Sequence, residues 1–225
     1  MTIVVEQPTT DADLACLRDL TSAYARAASV RKVAVVGNAP LEPSINRARE
    51  IDSADLVVRV NSFVLDKPQS PPCQGSRVDI VLWNRITRAT EFLYAGYRDR
   101  LFLMAEPMRM YGNPEEWPTS WPEDLGLVSL PNRSVAIPLC ERLGVPWRDE
   151  RIAPTTGLTA AYLAVTLYPD ADVVLSGFSF LDDPTQTRWR HQWGDECPVG
   201  REHRIDSEAA LMQSWLIHGQ ARLVR

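Results

Sequence analysis

The chain has 225 residues, of which 45% are hydrophobic and 24% charged, and its net charge is −5. That profile fits one globular domain with a sizeable core and leaves no nucleic-acid footprint in the totals. No apolar run reaches the length needed to span a bilayer, so no membrane span is expected.

Along the chain, residues 10–28 place Leu14, Leu17, Leu20 and Tyr24 at helical spacing behind an acidic first turn, which predicts a helix. This marks residues 1–30 as an N-terminal helical segment ahead of one domain over residues 31–225. The first residues lack a basic stretch followed by an apolar one, so they are not expected to act as a signal peptide. The expected location is the cytoplasm. "KVAVVGN" predicts a buried strand ending at Gly37 and Asn38, and Ser44 to Arg49 a short helix. Three further strands are predicted in "ADLVVRVN", "VDIVLWN" and "RLFLMAEP". Residues 107–123, rich in Pro and Trp, predict a loop of the kind that forms lids or binding walls. Residues 133–143 predict a helix, and another opens at Thr156 and is ended by Pro169. "DVVLSGF" is a strand with Gly177 at its exit, 181–202 a polar loop, Asp206 to His218 a helix and "ARLVR" an edge strand.

Apolar strands alternating with helices predict an α/β fold with a mostly parallel central sheet flanked by helices. In such sheets ligands sit beyond the carboxyl ends of the strands. Arg59 and Asn61 close a core-like strand, which suggests that both lie at the rim of a site. Gly37-Asn38 and Gly177 mark two more polar or glycine exits.

"PTTG", Pro154 to Gly157, puts two hydroxyls and a glycine at a helix start. Free backbone N–H groups and the positive end of the dipole make this a ready anion site; simple capping by Thr155 or Thr156 is the plain alternative. "VVGNAP" carries neither a dinucleotide fingerprint nor a P-loop. Of the three histidines, His203 stands just before the last helix with Asp206 and Glu208 behind it, where it could act as a general base; an exposed histidine ahead of a helix capped by Ser, Asp and Glu is the plain alternative. His191 lies among aromatics and arginines, where it could meet phosphate. His218 reads as a partner for the end of a helix dipole. The four cysteines form no CxxC pair, so no zinc site is expected, and Cys16 and Cys140 are placed on apolar helix faces as free thiols. No carboxylate spacing suggests a metal.

These pieces fall in a recognisable order. "VAVVGN" with "REIDSADLVVRVN" resembles the large sialyl motif of the eukaryotic-type sialyltransferases, glycosyltransferase family 29. "PTTGLTAAYLAVTLYPDADVVLSGFSF" is similar to their small motif, "HRIDSE" to the very small motif, and "HQW" stands in the place of the short aromatic-histidine motif. The resemblance covers roughly residues 31 to 225. It implies a Rossmann-like fold of GT-A variant type, a CMP-linked keto-sugar donor, and inverting transfer to a glycan or small-molecule acceptor without a metal or other cofactor. It implies further that Gly37, Asn38, Arg59, Asn61, Thr155, Thr156, Gly157 and Gly177 form the CMP site. His191 would meet the leaving phosphate, His203 would take the acceptor proton, and Glu208 would support the last helix and His203. Val33 and Tyr168 stand where the family carries a disulfide, and "GNAPLEP" departs from the family's asparagine-rich turn. Hydrolysis of a CMP-sugar or nucleotide on the same fold, and a non-catalytic nucleotide-binding relative, are the alternative readings.

Overall fold

The computed structural model describes residues 10–84, 89–105, 122–150 and 152–225. The loop expected at 107–123 lies outside them except for its last two residues.

Helix α1 (Thr10–Ser22) is followed by β1 (Lys32–Val36), α2 (Ile45–Asp52), β2 (Leu56–Val60), β3 (Ile80–Trp83), β4 (Leu101–Met104) and β5 (Leu127–Ser129). Then come α3 (Ile137–Leu143), α4 (Trp147–Glu150), α5 (Thr156–Leu167) and β6 (Asp172–Ser176). A hairpin of β7 (Arg188–Arg190) and β8 (Glu196–Pro198) leads to α6 (Ile205–Ile217) and β9 (Arg222–Leu223). Seven strands form one sheet in the order β5-β4-β3-β2-β1-β6-β9, and every pair in it is parallel. The fold is therefore α/β with a mostly parallel central sheet, as the sequence predicts.

The central strands are largely apolar because both faces of the sheet are covered, although β2 carries the buried Arg59. Val33 and Val35 of β1 join the core beneath α1, α3, α5 and α6, while Ala34 and Val36 face the smaller core closed by Ile51 of α2. Helix α5 is the centre of the larger layer, with nine of its residues buried, from Leu158 to Leu167. A helix apolar on nearly all sides belongs inside, and each fully buried Leu or Val on it stabilises the fold by about 1.5–3 kcal/mol.

Several boundaries differ from the sequence reading, each for a local reason. Helix α1 ends at Ser22 rather than near residue 28. The Tyr168 hydroxyl holds Thr21 Oγ1 at 2.6 Å and Ser22 Oγ at 3.1 Å, and the Arg26 N–H is drawn to the Asp55 carbonyl. Thus a hydrogen-bonded contact ties α1 to α5 at Tyr168, and Val33 is fully buried in the same core. The helix expected at 133–143 opens as a π turn over Asn132–Ala136. Pro138 has no N–H to give to Ser134, so the regular ladder starts only after it. Cys140 is buried, but Cys16 is exposed, contrary to its expected apolar face. Among the described residues no helix is long and apolar enough to cross a membrane.

The order of strands creates a switch point. From β1 the chain proceeds outward through β2 to β5, and it then returns through α5 to β6 on the other side of β1. A crevice opens where such a sheet reverses direction.

Candidate functional site

A cleft of about 490 Å³ lies at that switch point, above the exits of β1, β2, β3 and β6. All but two of the sequence-predicted residues line it, the exceptions being Arg59 and Glu208.

Two glycines let the exits of β1 and β6 touch. The Gly37 N–H donates to the Ser176 carbonyl at 2.8 Å, and the Ala39 N–H to the Gly177 carbonyl at 3.1 Å. Gly177 has φ of +74°, and a Cβ there would lie 2.8 Å from the Gly37 oxygen. A Cβ on Gly37 would collide with the Gly177 carbonyl. The two glycines are therefore needed first by each other, backbone against backbone.

Three asparagines then continue along the strand exits. Asn38 Nδ2 donates to the Val60 carbonyl at 2.8 Å, and its own carbonyl accepts from the Gln192 N–H of the hairpin at 3.0 Å. Asn61 sits at φ 52°, a left-handed conformation that Asn tolerates, and its Oδ1 accepts from the Asn84 N–H at 3.2 Å. Asn84 Nδ2 reaches Thr156 Oγ1 at 3.4 Å. The chain of amides thus connects β1, β2 and β3 to the start of α5. Asn84 was not among the predicted site residues, although it ends "VDIVLWN" as Asn61 ends "ADLVVRVN".

Thr155 caps α5, its Oγ1 accepting from the Leu158 N–H at 3.1 Å. The N–H groups of Thr156 and Gly157 belong to the first turn and have no carbonyl within the helix to serve. They line the cleft, at the positive end of the helix dipole, where an anion could meet them. Thr155 is held from behind by Glu208, which is fully buried in α6. Glu208 Oε1 accepts from the Thr155 N–H at 3.0 Å and Oε2 from its hydroxyl at 2.6 Å. Burial pushes the Glu208 carboxyl up to about 8, against the pull of those two bonds, and Asp206 adds to the rise. Glu208 therefore fixes the turn at Thr155 rather than reaching the cleft.

Arg59 requires a correction. It is fully buried, on the sheet face opposite α5, and lies outside the cleft. Its Nε donates to the Arg77 carbonyl at 3.0 Å and one terminal nitrogen to the Gln74 carbonyl at 2.7 Å. Burial pushes its guanidinium down to about 10, opposed by Asp52 and Asp66, so it stays charged at neutral pH. Its place is structural: it pins the segment that leads into β3.

The other wall of the cleft carries the imidazoles. His203 Nδ1 lies 2.8 Å from the Ala153 carbonyl, which can only accept, so Nδ1 carries a proton, and in the neutral ring the lone pair is on Nε2. The Glu202 carboxylate stands 3.8 Å from that Nε2. The Ala153 N–H donates to the Glu202 carbonyl at 2.8 Å. His203 and Glu208 thus grip the same short stretch, one at Ala153 and the other at Thr155. His191 Nδ1 donates to Asp195 Oδ1 at 2.6 Å, and its ring stacks on Trp193 with centroids 4.5 Å apart and planes within 2°. Asp195, Trp193 and Glu202 were likewise not among the predicted site residues. Among the described residues no group of three His, Cys, Asp or Glu side chains is placed to hold a metal ion.

Solved structures similar to this fold include two mammalian sialyltransferases. One is a mammalian sialyltransferase crystallised in complex with Gal-beta-1-3GalNAc-ortho-nitrophenol, at a TM-score of 0.59 and 17% identity over 98% of this chain and 81% of that one. The other is a mammalian sialyltransferase at 0.58 and 16%, with the same coverage. No protein-family model and no curated protein matches the sequence. The chain has the sialyltransferase fold.

Proposed function

We propose that this protein is a glycosyltransferase that takes a CMP-linked keto-sugar and transfers the sugar, with inversion, to a hydroxyl of a glycan or small-molecule acceptor. The observation that carries this reading is the joint placement of the α5 N-terminus and His203, with His203 bonded to Ala153 two residues before the helix cap. The similarity in fold to a sialyltransferase holding a disaccharide-type compound supports a glycan as the acceptor class.

In this mechanism the phosphate of the donor rests on the N–H groups of Thr156 and Gly157. Asn38 and Asn61 hold the nucleoside at the strand exits. The acceptor oxygen attacks the anomeric carbon as the bond from that carbon to the phosphate oxygen breaks, and CMP leaves with the electron pair. His203 Nε2 takes the acceptor proton, and its Nδ1–H bond to Ala153 keeps the ring in the tautomer this requires. His191, held by Asp195 and Trp193, faces the leaving phosphate and as an imidazolium donates to it. No metal is invoked, since fixed N–H donors and His191 meet the leaving charge. The four unpaired cysteines support a reducing compartment such as the cytoplasm.

The experiment is a thermal-shift series with CMP, UMP, GDP, AMP and NAD, followed by product analysis of a CMP-sugar with and without acceptor. CMP alone should raise the melting temperature strongly, by mass action. Sugar should appear on the acceptor. Release of free sugar at the same rate in both samples would favour hydrolysis, and no response to CMP would end the reading.

A further inference from the structure

We infer that Glu202 is an acceptor-binding residue of this cleft and that it selects a vicinal diol. While His203 takes the proton of the reacting hydroxyl, the Glu202 carboxylate accepts a hydrogen bond from the hydroxyl on the adjacent carbon. The inference rests on the glycosyltransferase reading above and narrows its acceptor class.

Glu202 Oε1 stands 3.8 Å from His203 Nε2, and both side chains line the cleft. They are 46% and 20% exposed, so a molecule in the cleft can reach both. At 3.8 Å the two make no hydrogen bond to each other. The carboxylate is folded over Gly200, where a Cβ would collide with it, so the missing side chain at 200 leaves it this place. The backbone beneath is fixed as well. The Glu202 carbonyl accepts from the Ala153 N–H at 2.8 Å, and the His203 N–H donates to the Gly200 carbonyl at 3.1 Å. Among the described residues the nearby arginines are engaged elsewhere. Arg204 donates to the carbonyls of Arg201 and His203 and pairs with Glu150 at 3.0 Å, and Arg190 pairs with Glu196 at 2.9 Å.

A carboxylate only accepts, and a neutral His203 presents a lone pair at Nε2. Two acceptors side by side are matched by two donors side by side. Hydroxyls on adjacent carbons of a sugar ring supply that pair, each able to meet one acceptor at the ordinary O–H donor length of about 2.7–3.0 Å. A phosphate or carboxylate at the same point would be repelled by Glu202.

The test is transfer from CMP-N-acetylneuraminate, a CMP-linked keto-sugar, by wild type, Glu202→Ala and Glu202→Gln. The acceptor probes are methyl β-galactoside, methyl β-glucoside and Gal-beta-1-3GalNAc-ortho-nitrophenol, each with analogues deoxygenated next to the hydroxyl that reacts. Glu202→Ala should lower kcat/KM about 10-fold, the low end for a hydrogen bond to a charged group, because the carboxylate is half exposed. One deoxy analogue should cost wild type about as much and cost Glu202→Ala nothing further. Glu202→Gln, which keeps an acceptor oxygen, should fall between. CMP affinity and melting should match wild type in both variants. Unchanged kcat/KM in Glu202→Ala, losses that add for every analogue, a fall in CMP affinity or melting, or transfer to a hydroxyl with no neighbouring hydroxyl would overturn the inference. Wild type that binds CMP but transfers to none of the probes would overturn the glycan acceptor as well, and wild type that does not bind CMP would overturn the donor reading.

Discussion

Glu208 and Thr155, 53 residues apart in the chain, are joined twice inside the protein, through the Thr155 N–H at 3.0 Å and the Thr155 hydroxyl at 2.6 Å. Among the described residues the carboxyl makes no other hydrogen bond, and α6 thereby holds the residue that caps α5. One short motif, His203 to Glu208, thus holds both the imidazole and the first turn of α5.

Stability should depend on the protonation of Glu208. Its carboxyl is raised from an ordinary 4.5 to about 8 in the folded chain. Between those values the native state binds the extra proton, so stability falls as pH rises. The contribution is full below about pH 4.5 and is lost on passing about pH 8, with a span of a few kcal/mol. Glu208→Gln keeps an acceptor for the Thr155 N–H and an amide for its hydroxyl. Urea unfolding from pH 5 to 9 should show a declining curve for wild type and a flatter one for the variant; parallel curves would contradict the burial argument.

His203→Ala should slow transfer by about 10²–10⁴-fold, the usual worth of a general base, with CMP affinity changed little. Single-turnover rates and calorimetric binding, measured side by side, check this. Full activity in the variant would remove His203 from the mechanism.

Arg59→Met should destabilise the fold by roughly 2–5 kcal/mol, because the carbonyls of Gln74 and Arg77 lose their buried donor. CMP affinity of the folded variant should stay close to wild type. A variant that unfolds like wild type but no longer binds CMP would return Arg59 to the site.

Gly37→Ala and Gly177→Ala should each lower stability, by roughly 1–3 kcal/mol or more, and weaken CMP together with it. At Gly37 the new methyl strikes the Gly177 carbonyl, and at Gly177 it also meets a φ of +74°. Melting curves showing either variant as stable as wild type would mean that the two strand exits separate easily.

The sheet was legible because its central strands are short, Val-rich runs with polar or glycine exits, and the length and β-branched content separate such runs from buried helix. β5 and the β7–β8 hairpin were not legible. Their strands are three residues each, and the hairpin is lined by exposed Arg188, Arg190 and Glu196, so it reads as polar loop. That Asn38, Asn61 and the Thr155 turn would line the cleft was legible because a strand exit and a helix start have local signatures. Arg59 was misplaced for a related reason. It shares strand parity with Asn61, but Asn61 leaves the strand at φ 52°, so the parity no longer links their directions. Asn84 ended a strand in the same way as Asn61 and could have been found by the same rule. The partners of Glu208 and His191 could not: Thr155 is supplied by folding from far along the chain, and Asp195 by a hairpin too short to recognise.

The proposed function requires a cytidine phosphate seated with its phosphate on the first turn of α5. The most direct measurement is the amide spectrum of ¹⁵N-labelled protein titrated with CMP and, separately, with cytidine. The Thr156 and Gly157 amides should move downfield and saturate with CMP, and shift far less with the uncharged nucleoside. Amides at 156 and 157 that stay still while CMP binds, or that respond equally to both compounds, would contradict the account.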